Sequence, residues 1–481
     1  MLDTLYNDGS TILRGSLATK QLVAGFVFIA VLAAVFGAYL LGEADQDAGI
    51  ERLAIPAVYA ADANTIVGLE AGTLLPQERQ ELTPTGTVPD RDTYYPGTEA
   101  LDPDQMRVTA CGTGMPNARP KQAAACWLVE LGNGDKFLFD IGTGSAERIS
   151  ALKIPYDFLD KVFIGHLHSD HFGDLDALWV GGVVSNRVTP LRVWGPSRES
   201  HEYGTAYALE HLEQSLKWDV DTRFGNTDTR GLFMEVTEFD YRGINEVIYQ
   251  ENGVTIRTIP AIHIYDGPVS FILEWNGLKF AYSSDTFPNK WWMEYTKDSD
   301  IAIHEAFITP EALVEKQKFT PAAALNVGTQ IHTSPAQFGR VMAEVNPRMA
   351  VAYHFFNDFD TQPGVLRDIR RSYDGPLALA VDYMVFNITR DDIRVRMAAV
   401  DEDIWPMSSA LGNVPPDPAL QRTEFSQMML DGRVVHRDIL EEIYAEVNEM
   451  YGTDHPRFPE GGCGCAAARS TPGTAWGSRT P

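Results

Sequence analysis

The stretch GHLHSDHFGD, residues 165–174, decides how the chain is read. From His166 to His171 it sets three imidazoles and the carboxylate of Asp170 within six residues. Imidazole and carboxylate together suit zinc, manganese or iron. The apolar KVFIG just before it reads as a buried strand. His166 and His168, two apart at the end of that strand, point the same way and can share one metal. The chain must turn before Asp170 and His171 can serve a second, adjacent ion, and Ser169 and Gly173 are compatible with that turn. A chance cluster of surface histidines is the alternative. It is weakened by further donors at the ends of other strand-like runs: His263 in RTIPAIHI, Asp285 in AYSSDT and His354 in AVAYHF.

Working outward, MRVTACGTG, QAAACWLVELG and DKFLFDIG are short apolar or alternating runs punctuated by glycine, which is the pattern of strands. RVTPLRVWGP, GVTIRTIPAIHI, VSFILEWNG, KFAYSS and RMAVAYHF continue them. DLDALWVGGVVSN reads as the helix after the histidine-rich loop, and SPAQFGRVMAEVN as a helix capped by Ser334. Strands interleaved with helices indicate an α/β protein. The chain has 481 residues, of which 44% are hydrophobic and 10% aromatic, enough to build a large core and to exclude global disorder. Its net charge of −27 disfavours unaided binding to nucleic-acid backbones, so nucleic acid is not expected as a partner. Four cysteines in this length exclude a disulfide-dense scaffold.

The segment 21–42 carries no charged residue, and LVAGFVFIAVLAAVFGAYLL is long enough to span a hydrocarbon layer about 30 Å thick as a helix. Arg14 and Lys20 precede it, and Glu43, Asp45, Asp47 and Glu51 follow. This arrangement predicts a cytoplasmic N-terminus at 1–20 and a membrane anchor at 21–42. For a bacterial source the rest is then periplasmic, anchored to the inner membrane by one pass. A cleaved signal peptide, which would release a secreted protein, is the competing reading. Residues 43–104 read as a linker or extension, 105–398 as the catalytic domain, 399–460 as a C-terminal extension of two helices, and 461–481 as a disordered tail. The C-terminal helices would cap the domain or pair two subunits.

These ordered motifs resemble the metallo-β-lactamase superfamily from about Met106 to Met397. HLHSDH matches its HxHxDH signature, and His263, Asp285 and His354 match its later motifs. The fold implied is a four-layer αββα sandwich with metals at one edge of two central sheets. The resemblance implies that His166, His168 and His263 hold one metal, that Asp170, His171 and His354 hold the second, and that Asp285 bridges them. Asp140 in FLFDIGTGS matches the first motif, whose aspartate supports the ligand loop. Two divalent ions, with zinc expected and manganese or iron as alternatives, would activate a bridging hydroxide for hydrolysis.

The tRNase Z-type branch is the nearest likeness. TACGTGMPNARPKQAA resembles its opening glycine turn. His304–Glu305–Ala306 resembles its His-Glu-Ala-Thr motif, with Phe307 in place of threonine, and His332 resembles the histidine thought to protonate the leaving group. Asp170, His304, Glu305 and His332 are therefore the catalytic candidates, His304 and Glu305 being also readable as a pair that orients metal ligands. The branch inserts a tRNA-gripping arm between the third-motif histidine and the bridging aspartate. Here 21 residues separate His263 from Asp285, room for a strand pair. The resemblance then narrows to arm-less relatives, arylsulfatase-like or of the guanitoxin-biosynthesis type. That likeness names no substrate; two cations and a histidine acid suit an anionic transition state, so a small anionic ester is expected, with phosphodiester or sulfate ester preferred and tRNA not expected. Hydrolysis of a lactone, carboxylic ester or β-lactam is the first alternative, and an iron-containing redox protein the second.

Smaller features carry less. Cys111 and Cys126 fall in consecutive strands and read equally as a disulfide or as two buried thiols. Cys463 and Cys465 sit in a glycine-rich tail too short for a zinc site. Trp291 and Trp292 would either wall a pocket or pack in the core. His201, His211, His436 and His455 have no partner motif.

Overall fold

Apolar runs of five to seven residues, too short for helices and bounded by glycine or polar turns, pair into two sheets. A computed structural model describes residues 92–223, 228–407 and 425–455. The apolar run 21–42 and Cys463 and Cys465 lie outside the described residues. Among the described residues no helix is long and apolar enough to cross a membrane.

The first sheet takes β1 (Asp92–Tyr94), β2 (Met106–Gly112), β3 (Cys126–Leu131), β4 (Lys136–Phe139), β5 (Lys161–Phe163), β6 (Leu191–Pro196) and β7 (Met234–Phe239). The second takes β8 (Glu246–Glu251), β9 (Val254–Pro260), β10 (Val269–Trp275), β11 (Leu278–Tyr282), β12 (Ile301–Glu305), β13 (Met349–Tyr353) and β14 (Leu377–Leu379). β15 (Met384–Ile388) and β16 (Ile393–Ala398) return to the first. The orders are β1-β16-β15-β2-β3-β4-β5-β6-β7 and β14-β13-β12-β11-β10-β9-β8. β4 to β7 run parallel, as do β11 to β14. Ligands in such sheets collect beyond the carboxyl ends of the parallel strands, and there Asp140, His166, Asp285 and His354 emerge.

Three buried clusters define four layers. One lies between the sheets, where Trp127, Phe139 and Phe163 meet Phe271, Phe280, Tyr282 and Tyr353. A second packs the outer face of β2–β6 under the helices Ser145–Ser150 and Leu175–Val184. The third packs the other sheet under the helix Pro335–Val345. That helix shows why the sequence folds locally as it does. Ser334 accepts from the Gln337 amide and Gln337 reaches back, a capping box worth about 1 kcal/mol. Phe338, Val341, Met342 and Val345 then face the sheet at helical spacing. The mixed-sheet αββα arrangement is the one the motifs implied.

Other details differ from expectation or resolve it. β1 lies inside the segment read as a linker or extension: Tyr94 is buried and its hydroxyl accepts from Arg107 at 2.8 Å. Cys111 and Cys126 are both buried and free, so the disulfide alternative is corrected. Trp292 is fully buried and Trp291 packs partly against the same cluster, so they belong to the core. The residues between His263 and Asp285 form the β10–β11 hairpin. In the C-terminal extension the helices Gln427–Asp431 and Arg437–Tyr451 bury none of their side chains.

Candidate metal centre

Three strand ends bend sharply to bring donors together. Asp140, Ser284 and His354 follow β4, β11 and β13 with φ of 58°, 49° and 69°, a left-handed conformation unusual outside glycine. Such strain persists where surrounding contacts over-determine it, and it concentrates at functional sites. Gly165 lets β5 approach β11, because a Cβ there would lie 2.3 Å from Ser284 Oγ.

The donors fall into two sets. In the first, His166 Nε2 lies 3.0 Å and His263 Nε2 3.4 Å from His168 Nδ1. Asp285 Oδ2 stands 3.9 Å from His166 Nε2 and 3.8 Å from His263 Nε2. In the second, His171 Nε2 and His354 Nε2 lie 3.6 and 3.2 Å from Asp170 Oδ2. They lie 3.3 and 3.4 Å from Asp285 Oδ1. One carboxylate thus turns one oxygen to each set. Metal–nitrogen bonds of about 2.0–2.1 Å place tetrahedral ligands about 3.3–3.4 Å apart, so these spacings fit the edges of cation sites. His171 Nε2 and Asp285 Oδ1 are buried with no hydrogen-bond partner, the condition a cation between them would relieve.

Supporting contacts fix which nitrogen is free. His171 Nδ1–H donates to Asp140 Oδ2 at 2.6 Å, which leaves Nε2 to the cluster. Asp140 Oδ2 also accepts from Tyr282 and Ser284 hydroxyls, and Oδ1 from the Gly165 amide. Tyr353 in turn donates to Tyr282. His263 Nδ1–H donates to the Ile331 carbonyl at 3.3 Å.

Protonation follows the same geometry. Burial lowers His166 well below the usual imidazole value, reinforced by His171, and lowers His263 to about 4. Burial likewise lowers His168. Burial alone would raise Asp285, but His354 and His171 outweigh it and hold the carboxyl well below its ordinary range. Burial works against charge on His171 too, yet Asp285, Asp140 and Asp170 push it well up. Neutral imidazoles and ionised carboxylates are the forms that bind metal, and a cation would take the place of the His171 proton.

A third grouping joins Asp285 and His354 to Glu305 and His332. His332 Nδ1–H donates to Glu305 Oε2 at 2.8 Å, while Glu305 Oε1 accepts from the Thr286 amide at 2.6 Å. Burial pushes the Glu305 carboxyl well up and the His332 imidazole down. The Phe307 ring stacks on His332 at 4.0 Å and 3°. Of the catalytic candidates, His304 is the one that the fold does not bring to the cluster. Adjacent residues of a strand face opposite ways. His304 therefore turns from the cluster, donates to the Glu305 carbonyl at 2.7 Å and packs on Trp292. Sequence reasoning missed Tyr282, Ser284 and the stacking by Phe307. Their only signal was position beside a recognised motif.

Comparison with known proteins adds to this. The family described as Anti-Pycsar protein Apyc1 matches residues 106–315. Ribonuclease Z of Mycolicibacterium gilvum (strain PYR-GCK) is 30% identical over 189 residues, covering 38% of this chain and 62% of that protein. Ribonuclease Z of Mycobacterium marinum is 28% identical over 187 residues, covering 38% and 64%. The chain therefore spans less than two thirds of the length of these curated relatives. The short form of human tRNase Z is 17% identical with a TM-score of 0.42, covering 58% of this chain and 98% of that one. These relatives correct one expectation. The exclusion of nucleic acid as a partner does not stand against relatives that are ribonucleases by name. The charge of −27 is a sum over the chain. A phosphodiester at a site responds to charges within a screening length of about 8–10 Å.

Proposed function

We propose that the chain, similar to ribonuclease Z proteins and to the family described as Anti-Pycsar protein Apyc1, is a tRNase Z-like member of the metallo-β-lactamase superfamily and a dinuclear metal-dependent hydrolase of phosphodiesters. The observation that carries the reading is the Asp285 carboxylate, whose Oδ2 faces one group of imidazoles and whose Oδ1 faces the other. His166, His168 and His263 would hold one ion, and Asp170, His171 and His354 the other, with Asp285 common to both. The nitrogen-rich donor set fits zinc. Two divalent ions in such a site, when bound, acidify water and stabilise charge on the attacking and leaving oxygens.

The chain's own residues supply the rest. Asp140 holds His171 in the tautomer that presents Nε2. Glu305 Oε2 accepts from Nδ1–H of His332, so Nε2 is the ring atom that must first take up a proton before the ring can pass one to the departing oxygen. Phe307 fixes the plane of that ring. His168, the exposed member of the first set, marks the side from which substrate reaches the centre. A small phosphodiester is the preferred substrate, with a sulfate ester next, since a cationic site with a histidine acid suits an anionic ester.

The test is a panel of an aryl phosphodiester, an aryl sulfate, a lactone, a cephalosporin and a precursor RNA, given to the full chain loaded with zinc. The reading expects turnover of the phosphodiester and its loss in Asp170→Ala. Cleavage of the lactone or cephalosporin without the phosphodiester would overturn it, as would full activity in Asp170→Ala. Cleavage of the RNA would carry the phosphodiester reading to a polymer.

A further inference from the structure

On the loop that follows the ligand candidate His263 stands one of a pair of aromatic rings that the hydrolytic reading does not use. Tyr265 lies two residues beyond His263, so its Cα is at most about 7 Å from that of the ligand. Its ring meets Tyr203 at 6.4 Å between centroids and 73° between planes. Both are more than half exposed, Tyr203 at 58% and Tyr265 at 63%. Isolated exposed aromatics are ordinary, but two exposed rings set as a corner, one of them on the loop that carries a ligand candidate, offer a binding surface.

The corner is held in place. Arg198 passes over Gly267, where φ is +125° and a Cβ would fall 1.9 Å from its Nε. Its Nη1–H donates to the Asp266 carbonyl, and its guanidinium lies 5.9 Å from the Tyr265 ring. The loop carrying His263 is thereby tied to the segment that leads into Tyr203. On the other side Tyr203 ends a turn just before the helix Thr205–Ser215, whose Thr205 hydroxyl donates to the Pro196 carbonyl at 2.9 Å. Each ring therefore stands on anchored backbone, with little ordering left for a ligand to impose.

We propose that Tyr203 and Tyr265 form a subsite for a planar aromatic substituent of the phosphodiester, one ring offering its face and the other its edge. This rests on the phosphodiesterase reading and specifies its substrate class as esters whose non-leaving substituent is an aromatic ring. The side chain arrangement selects for the ring and leaves the bond cleavage to the metal centre.

The experiment compares 4-nitrophenyl phenyl phosphate with 4-nitrophenyl methyl phosphate on the zinc-loaded full chain. The leaving group is constant, so the ratio of kcat/KM reports the other substituent. The expected ratio favours phenyl by about tenfold or more, within what one stacked ring supplies. In Tyr203→Ala/Tyr265→Ala it falls towards one, mainly through KM, and in Tyr203→Phe/Tyr265→Phe it is retained. An unchanged ratio in the double alanine variant, or no preference in the parent, overturns the subsite. So does a shift from dimer to monomer in light scattering of the alanine variant, which would make the corner a subunit interface. Should neither ester be hydrolysed, the phosphodiesterase reading fails by itself. Calorimetric binding of phenylphosphonate against methylphosphonate then tests the subsite separately, with the same ratio expected and its absence overturning it.

Discussion

Replacing Asp140 by asparagine isolates the contribution of a residue that touches no metal position yet sets up one ligand. Asparagine tolerates the left-handed backbone at this position, so the change is confined to the side chain. The carboxylate now accepts from four donors: the Gly165 amide on Oδ1, and His171, Tyr282 and Ser284 on Oδ2. If the amide oxygen keeps Gly165, its NH2 faces the other three. His171 then does best with its proton moved to Nε2, the nitrogen needed for the second ion. Loss of such a supporting contact costs about 10–100-fold in metal affinity, equivalent to about 1.4–2.8 kcal/mol. Titration of metal-free protein with zinc in competition with a chromophoric chelator resolves the two sites. The expected result is a loss of that size at one site, with the other unchanged within about threefold, the scatter expected for context. Unaltered affinity at both would refute the argument that Asp140 acts through His171. Equal weakening of both would show that the residue merely supports the fold.

Two further outcomes follow from packing and burial. Gly165→Ala drives a Cβ against Ser284, which should cost about 1–3 kcal/mol in urea unfolding and reduce bound zinc below two equivalents. Unchanged stability would mean that β5 and β11 separate freely. His304 is buried, and that burial lowers its imidazole to about 4. Below about 6.5 the unfolded chain therefore takes up a proton that the folded chain refuses. Folded stability is full above that pH and falls by up to about 3 kcal/mol as pH drops towards 4. Urea midpoints across this range should fall less steeply for His304→Leu than for the parent, and identical slopes would remove His304 as the cause.

Much of the fold was legible because the strands of the parallel halves are apolar on both faces. MAVAY in β13 buries all five residues and reads as a strand without ambiguity. β7, MEVTEF, is largely exposed along its length and carries no such pattern, so only pairing with β6 reveals it. β1 has three residues and gains its register from β16, some 300 positions away, beyond the reach of any local signal. At the centre, alternation was the rule that His304 and Glu305 obeyed, and applying it at the sequence level separates them. Phe307 read as a departure from a motif, whereas its contribution is to hold a ring in plane. The charge argument against nucleic acid failed because a sum over the chain says nothing of where its charges lie.

The hydroxyls of Tyr353 and Tyr282 run as a line from the interior between the sheets to Asp140 and so to His171. Trp127 meets Tyr353 edge-on at 5.9 Å, so repacking there would bear on a ring nitrogen at the rim. Mutational drift that leaves melting behaviour intact can thus still detune reactivity, and the centre of the molecule is constrained by chemistry as well as by folding.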